Sequence, residues 1–159
     1  MTTTAWLDDA EQHAWRSYLE LQRRLGRRLA RQLQQDSGLS EADFEVLVEL
    51  SEAPGGRRRS FELCESMQWE KSRLSHHLTR MEKRGLVARE ECRTDARGAD
   101  VVLTRQGRRT IEQAAPLHVA EVRAAFIDPL GADGVAALDR LCAAVLAALE
   151  DDEGATADT

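Results

Sequence analysis

The feature that most constrains the fold is a change of hydrophobic period at Gly85. Before this glycine, apolar residues recur at helical spacing and predict a helix over about residues 70–84. After it, residues 86–92 and 100–103 have the composition of short strands, and residues 93–99 between them are rich in turn formers. We therefore expect a helix that is followed directly by a β-hairpin.

Shorter helical segments precede this unit. Ser40 is placed to cap a helix, with Asp43 three residues further on. The Ala-Pro-Gly-Gly segment at residues 53–56 should end that helix in a loop, which continues through residues 57–59. Ser60 is a second cap candidate, for a short helix with a buried side formed by Phe61, Leu63, Cys64 and Met67. Two helices joined by a tight turn and followed by a hairpin predict a winged helix-turn-helix, whose second helix enters the major groove of DNA.

Longer helices are predicted at both ends of the chain. Four leucines recur every four residues in the first predicted helix; they are Leu21, Leu25, Leu29 and Leu33. Gly38 should end this helix. Thr104 is placed to cap a helix after the hairpin, Pro116 should bend or break that helix, and a last helix carries apolar residues over 135–149. The predicted fold class is mostly α with a small β-hairpin wing, flanked by helices whose apolar stripes one small domain could not fully bury.

Charge is distributed unevenly along the chain. The net charge over all 159 residues is −6, but residues 54–113 carry 14 basic and 9 acidic side chains. Residues 1–53 and residues 114–159 are both acidic in balance. A basic centre between acidic ends favours a nucleic-acid partner for the central segment, because a local patch rather than the net charge meets the phosphates.

Several other functional classes lack their sequence signatures. The cysteines Cys64, Cys92 and Cys142 lie far apart and form no CxxC pair, so we predict neither a disulfide framework nor a metal site. No glycine-rich phosphate loop, GxSxG or HExxH motif is present, so we predict no enzyme, no catalytic residues and no cofactor. No apolar run approaches the roughly 20 residues that span a bilayer. Residues 1–9 lack a secretion signal, so we expect a cytoplasmic protein without a membrane partner.

The central segment resembles the MarR family of regulators. Residues 69–87 are similar to that family's recognition helix, with an acidic-basic-Ser start and a Met-Glu-Lys-Arg-Gly-Leu-Val ending. Residues 93–98 resemble the Asp-x-Arg signature of the wing, residues 103–107 resemble the Leu-Thr-x-x-Gly that opens the next helix, and residues 39–44 resemble the entry to the second helix. Each match alone is weak, whereas their order and spacing together are specific.

The resemblance implies a homodimer that binds double-stranded DNA at a pseudo-palindrome. In this reading residues 1–38 form an N-terminal dimerisation helix, residues 39–104 the winged helix-turn-helix, residues 105–150 the C-terminal dimerisation helices, and residues 151–159 a flexible acidic tail. The family's members include repressors released by small aromatic or phenolic effectors, and activators as well. Another winged-helix family, such as the ArsR or PadR regulators, or a helical interaction module without DNA binding, remains open.

The polar face of the helix at residues 70–84 supplies the DNA-contact candidates. The candidates for base edges are Ser72, Arg73 and His76. The candidates for phosphates are Lys71, Ser75 and Arg80. The candidates for an adjacent minor groove are Arg93 and Arg97, at the tip of the hairpin. Arg73 could equally contact a phosphate instead of a guanine.

The helix departs from the family pattern in ways that affect these predictions. His76 stands where many relatives have arginine, so base preference cannot be carried over from the family. His77 and Trp69 both stand where aliphatic residues are common, and Met81 replaces the commoner leucine. We expect a structural role for His77, and packing or the lining of a pocket for Trp69.

Overall fold

The computed structural model describes residues 6–91 and 99–157. In chain order its helices are α1 (Asp9–Ser37), α2 (Glu41–Glu52), α3 (Ser60–Met67), α4 (Lys71–Lys83), α5 (Arg105–Val122) and α6 (Asp128–Ala157). Its strands are β1 (Arg57–Arg59), β2 (Val87–Glu91) and β3 (Ala99–Leu103). A 3₁₀ turn at Pro54–Gly56 precedes β1, and a π-helical turn at Arg123–Ile127 lies between α5 and α6. The predicted fold class, mostly helical with one small sheet, is confirmed.

The chain divides into two compact units, residues 1–119 and residues 120–159. The first contains the whole sheet and α1 to α4 together with most of α5. The second contains the π-helical turn and α6, in which Gly131 interrupts the helical backbone at φ 64° and ψ 178°. This interruption lies just before the apolar residues at 135–149 that the sequence assigns to the last helix.

The sheet is antiparallel, with β3 in the centre and β1 and β2 at its edges. Val87 pairs with Leu103 at one end of the β2–β3 ladder, which confirms the predicted hairpin. The segment 57–59, predicted as part of a loop, is instead the strand β1, in which Arg57 pairs with Val102. Three consecutive arginines show no alternation of apolar residues, so β1 is formed by pairing with the free edge of β3 and not by a pattern of its own.

The core lies where α2, α3, α4, α5 and the sheet meet. Its largest fully buried side chains include Leu39, Val46, Leu47, Leu50, Leu63, Leu74, Leu78, Met81 and Val101. Two predictions for α3 are wrong. Phe61 is 56% exposed and not part of the buried side. Ser60 does not cap the helix, because its hydroxyl donates instead to the Ala99 carbonyl of β3, and Arg59 is the N-cap residue.

The turn after α4 is fixed by the start of α5. Gly85 takes a left-handed φ of 72°, which reverses the chain into β2. The Thr104 hydroxyl donates to the Gly85 carbonyl at 2.6 Å and accepts from the Gly107 amide at 2.9 Å, so Thr104 caps α5 as predicted. Gly107 packs directly on the turn, where an added Cβ would overlap the Leu86 carbonyl oxygen. The end of α4 and the start of α5 are therefore locked together.

The long helices follow the sequence only in part. α1 begins with a capping box between Asp8 and Glu11 and ends at Gly38 as predicted. Of the two predicted effects of Pro116, a bend or a break, the break does not occur, because α5 continues to Val122. Pro116 and Glu112 are both exposed, so the carbonyl that the proline leaves without an amide partner can be hydrated.

Candidate nucleic-acid interface

α4 has one buried side and one exposed side. The buried residues are Leu74, His77, Leu78 and Met81. The predicted contact residues on this helix are all exposed; they are Lys71, Ser72, Arg73, Ser75, His76 and Arg80. Because the apolar residues recur every three or four positions, the core takes up that side of the helix and leaves the polar side to solvent. The structure thus brings these six candidates together on one element.

The position of α4 is set by the short turn that joins it to α3. Gln68 ends α3 in a left-handed conformation, with φ at 50°. Trp69 follows and is buried, and Glu70 is the N-cap residue of α4 without a side-chain capping bond. The buried indole fixes the start of α4 on the core.

The start of α4 also carries a cation–π contact. The Arg73 guanidinium carbon lies 4.0 Å from the centroid of the Trp69 ring. Such a contact is favourable by about 0.5–1 kcal/mol at an exposed site. The indole therefore restrains an arginine that is otherwise free to move in solvent. The burial of Trp69 corresponds to packing, one of the two roles that the sequence leaves open for it.

A buried ion cluster connects α4 with α2. Arg84 donates to Asp43 Oδ2 at 2.6 Å and to the Gly38 carbonyl at 2.8 Å. His77 Nε2 lies 3.1 Å from Asp43 Oδ1, a close polar contact that is poorly aligned for a hydrogen bond. The Ser40 amide donates to Asp43 Oδ2 at 2.9 Å, which completes the predicted capping box of α2.

These contacts determine the charge state of Asp43. Burial by itself would raise the pKa of this carboxyl group. The contacts with His77, the Ser40 amide and Arg84 outweigh burial and hold the pKa well below its ordinary value. Asp43 is therefore ionised at neutral pH although the residue is only 4% exposed.

Arg89 ties the hairpin to α4. Its guanidinium donates to the Ser75 carbonyl at 2.6 Å and to the Thr79 hydroxyl at 3.2 Å. Its backbone amide donates to the Glu82 carboxylate at 3.0 Å. One residue of β2 thus contacts three residues along α4, so the strand and the helix are held in one arrangement.

The hairpin tip contains the remaining predicted contacts. Arg93 and Arg97 lie outside the described residues, as does Asp95. At the described base of the hairpin, Arg57 of β1 pairs with Glu90 at 3.0 Å and with Asp100 at 3.6 Å across the sheet. These pairs link all three strands beneath the tip.

The sequence reading missed several residues of this surface. Thr79 and Lys83 are exposed on α4, seven residues after Ser72 and His76 respectively, which places them on the same side of the helix. Helical periodicity alone would have found both. Arg89 could not have been found in this way, because its contacts cross from a strand to a helix.

A cavity of about 490 Å³ lies beside α4, between α3 and the wing strands. Its apolar wall includes Phe61, Cys64, Leu74 and Leu78, and its charged residues are Arg59, Glu65, Lys71 and Arg89. A cavity with an apolar wall and a few polar groups is of the kind that holds a small molecule.

Two kinds of feature are absent from the part of the chain that the structure describes. No group of three or more histidine, cysteine, aspartate or glutamate residues is arranged to hold a metal ion there. Nor is any helix in that part long and apolar enough to cross a membrane.

The chain is similar to solved structures of transcriptional regulators. It is 44% identical to AbsC, a MarR family transcriptional regulator from Streptomyces coelicolor, with a TM-score of 0.88 over 93% of this chain and 99% of that chain. It is 39% identical to Sco3205, a MarR family transcriptional regulator from the same organism solved in complex with DNA, with a TM-score of 0.86 over 90% of each chain.

More distant comparisons agree. A mutant MarR from E. coli, complexed with operator DNA, is 26% identical, with a TM-score of 0.77 over 89% of this chain and 99% of that chain. A family model described as the MarR family matches residues 37–98. No sequence among the curated proteins matches the chain.

Proposed function

Because the chain belongs to the MarR family of transcriptional regulators, we propose that it binds double-stranded DNA as a homodimer and represses transcription by covering a pseudo-palindromic operator. The relatives it matches are transcriptional regulators and not enzymes, so no catalytic role is assigned. As a regulator of transcription it would act in the cytoplasm, where bacterial DNA lies.

The observation that carries this proposal is the exposed polar side of α4. Six candidate residues lie on it while the opposite side is buried in the core, so the polar side is open to a ligand. The 39% identical relative was solved in complex with DNA, which supports the same ligand for this chain. A helix of this composition suits the major groove, which admits an α-helix and presents distinct donors and acceptors.

Each candidate residue has a role that follows from its chemistry. Ser72, Arg73 and His76 would read base edges, and a bidentate pair between Arg73 and guanine would contribute about 1–3 kcal/mol of discrimination. Lys71, Ser75 and Arg80 would hold phosphates, which fix the register of the protein on the duplex. Arg93 and Arg97 would enter the neighbouring minor groove.

The homodimer is supported by apolar side chains exposed on the long helices. On α1, Trp15 is 52% and Tyr18 is 49% exposed. On α6, Leu141 is 66% and Val145 is 60% exposed. Large apolar side chains that are exposed along one helix indicate an interaction site, and each of these helices carries such side chains. In this proposal residues 1–38 and 105–150 are the dimerisation segments and residues 39–104 bind DNA. Residues 151–157, which the sequence assigns to a flexible tail, belong to α6.

We further propose that a small effector releases the protein from DNA. The cavity between α3, α4 and the wing strands supports this, since Lys71 and Ser75 belong both to its lining and to the proposed DNA surface. A ligand that binds the cavity more tightly in the free protein than in the DNA complex would shift the balance toward release. The family resemblance suggests a small aromatic or phenolic molecule as this effector.

The experiment that tests the function is selection of genomic DNA fragments by the purified protein, with sequencing of bound fragments across a salt series. Recovery of a pseudo-palindrome with half-sites about one helical turn apart is expected. Arg73→Ala should weaken binding about tenfold or more. The charge-matched variant Arg16→Ala on α1 is the control, and it should bind as the wild type does once sedimentation velocity shows that it has the same oligomeric state. Only weak, sequence-independent binding would contradict a sequence-specific regulator and would favour a helical interaction module.

A further inference from the structure

A buried histidine contacts one of the exposed arginines of α4. Arg80 Nη2 lies 2.8 Å from His77 Nδ1, and the imidazole side chain is only 8% exposed. Because a guanidinium group can only donate hydrogen bonds, Nδ1 must be the acceptor and the proton of the neutral ring is on Nε2. Nε2 faces the carboxylate of Asp43 at 3.1 Å.

The imidazole ring is fixed by neighbours on other elements as well. Its plane meets the Trp69 ring edge-on, with centroids 5.4 Å apart and an interplanar angle of 88°. Asp43 on α2 is itself held by Arg84 and by the Ser40 amide. The ring therefore cannot rotate without loss of its contacts with both Asp43 and Trp69. An acceptor is thus held in a fixed place directly beneath the surface of α4.

We propose that His77 is a positioning residue for DNA binding, because its Nδ1 holds the Arg80 guanidinium in one place on the exposed side of α4. An arginine that is already ordered loses less side-chain freedom when it meets a phosphate. An aliphatic residue at this position, as in the family pattern, would leave Arg80 without this acceptor. The inference rests on the proposed function, since it concerns the same surface.

The test is a double-mutant cycle on binding to the tightest duplex recovered in the selection. His77→Leu should weaken binding about threefold to tenfold, the range expected for ordering one long side chain, and Arg80→Ala should weaken it at least as much, because it also removes the phosphate contact. In the double variant the two losses should not multiply, because Arg80 has its pre-ordered position only when His77 is present. Losses that multiply would overturn the proposal.

Conservative variants separate positioning from a purely structural role. The side-chain oxygen of asparagine lies about as far along the side chain as Nδ1, so His77→Asn should recover most of the affinity that His77→Leu loses. Met81→Leu, a volume-conserving change in the same buried side, should leave affinity unchanged. Lys71→Ala combined with His77→Leu should be additive, since those residues share no contact. Equal affinity for His77→Asn and His77→Leu would contradict the proposal.

A measurement on the free protein examines the same contact without DNA. The ¹⁵N resonances of His77 should show a proton on Nε2 and none on Nδ1 at neutral pH, and Arg80→Ala should shift the Nδ1 resonance. A proton on Nδ1 would overturn the proposal even if DNA binding is normal. Failure of the wild-type protein to bind any duplex would instead contradict the proposed function, and this inference with it.

Discussion

The apolar side chains of α4 are buried, whereas many of those on α6 are exposed. In α4, Leu74, Leu78 and Met81 are each no more than 1% exposed, because the rest of the winged helix covers them. In α6, Leu141 and Leu149 are 66% and 56% exposed. α4 therefore needs no further chain to bury its apolar side, and the exposed side chains of α6 fit the proposed dimer, in which a partner chain would cover them. α4 can therefore present its polar side to a ligand, and the exposed apolar side of α6 is suited to contact with another chain.

The largest effect is expected from charges placed on the apolar side of α6. The pair Leu141→Glu and Val145→Glu should convert the dimer to a monomer, because carboxylates buried without partners are costly. DNA affinity should then fall by about 10²–10⁴, the usual gain from linking two binding modules. Sedimentation velocity and DNA titration measure the two effects. Arg140→Gln, which changes a charged side chain of the same helix, is the control. If the variant with both glutamates remains dimeric, α6 associates through another surface.

Substitution of two glycines by alanine tests how closely the chain is packed at a buried and at an open site. Gly107→Ala should lower the free energy of unfolding by about 1–3 kcal/mol or more, because the added methyl group meets the Leu86 carbonyl. Gly26→Ala should raise it by about 0.5–1 kcal/mol, because nothing lies within 4 Å of that site in α1 and alanine favours a helix. Chemical denaturation at a fixed protein concentration measures both. Loss of stability in Gly26→Ala would mean that a partner chain packs closely against α1 there.

The ion cluster between α2 and α4 predicts a dependence of stability on pH. Since the pKa of Asp43 is lower in the folded chain than its ordinary value, this group stabilises the fold above about pH 4. That contribution is lost as the pH falls through the folded pKa. Asp43→Asn should cost about 1–3 kcal/mol at pH 7, since the charged hydrogen bonds are lost, and the difference from wild type should shrink in acid.

The control for this pH dependence is Asp139→Asn, which alters an exposed carboxylate in α6. Urea unfolding of both variants and the wild type between neutral pH and pH 3 measures the effect. A constant difference between Asp43→Asn and the wild type over that range would show that the carboxylate is not ionised in the folded protein.

The parts of the fold that were predicted correctly are those whose signal is local. The helical spacing of Leu74, Leu78 and Met81 predicted α4, because burial of one side of a helix imposes a period on the sequence. The loss of that spacing after Gly85 marked the start of the hairpin. The Ser40–Asp43 capping box was also visible, since its two members are three residues apart. The exposed side of α4 followed directly from the same period.

The features that were missed depend on contacts between distant segments. β1 is made of arginines, and it is a strand only because β3 offers a free edge. His77 and Asp43 are 34 residues apart, and no periodicity indicates that a buried carboxylate faces that ring. Arg89 likewise reaches across from β2 to α4. Such pairs arise from the packing of elements, which a single sequence does not report.

The smallest effect concerns the contact that holds the wing against α4. Arg89→Lys keeps the charge but loses the forked geometry that reaches both the Ser75 carbonyl and the Thr79 hydroxyl. Because this side chain is about a third exposed, the cost in stability should be only about 0.2–1 kcal/mol. DNA affinity should fall by severalfold, since the wing and the helix must meet adjacent grooves together.

Hydrogen exchange of the β2 amides, compared with that of the α6 amides, measures whether the Arg89→Lys effect is confined to the wing. Exchange should rise in β2 and stay unchanged in α6, and Arg109→Lys on the exposed side of α5 should change neither. Faster exchange throughout the chain would mean that Arg89 supports the whole fold. If exchange is unchanged but DNA binding is weaker, Arg89 contacts the DNA itself. The arrangement of the wing and α4 would then depend on the β2–β3 ladder and on the Thr104 cap.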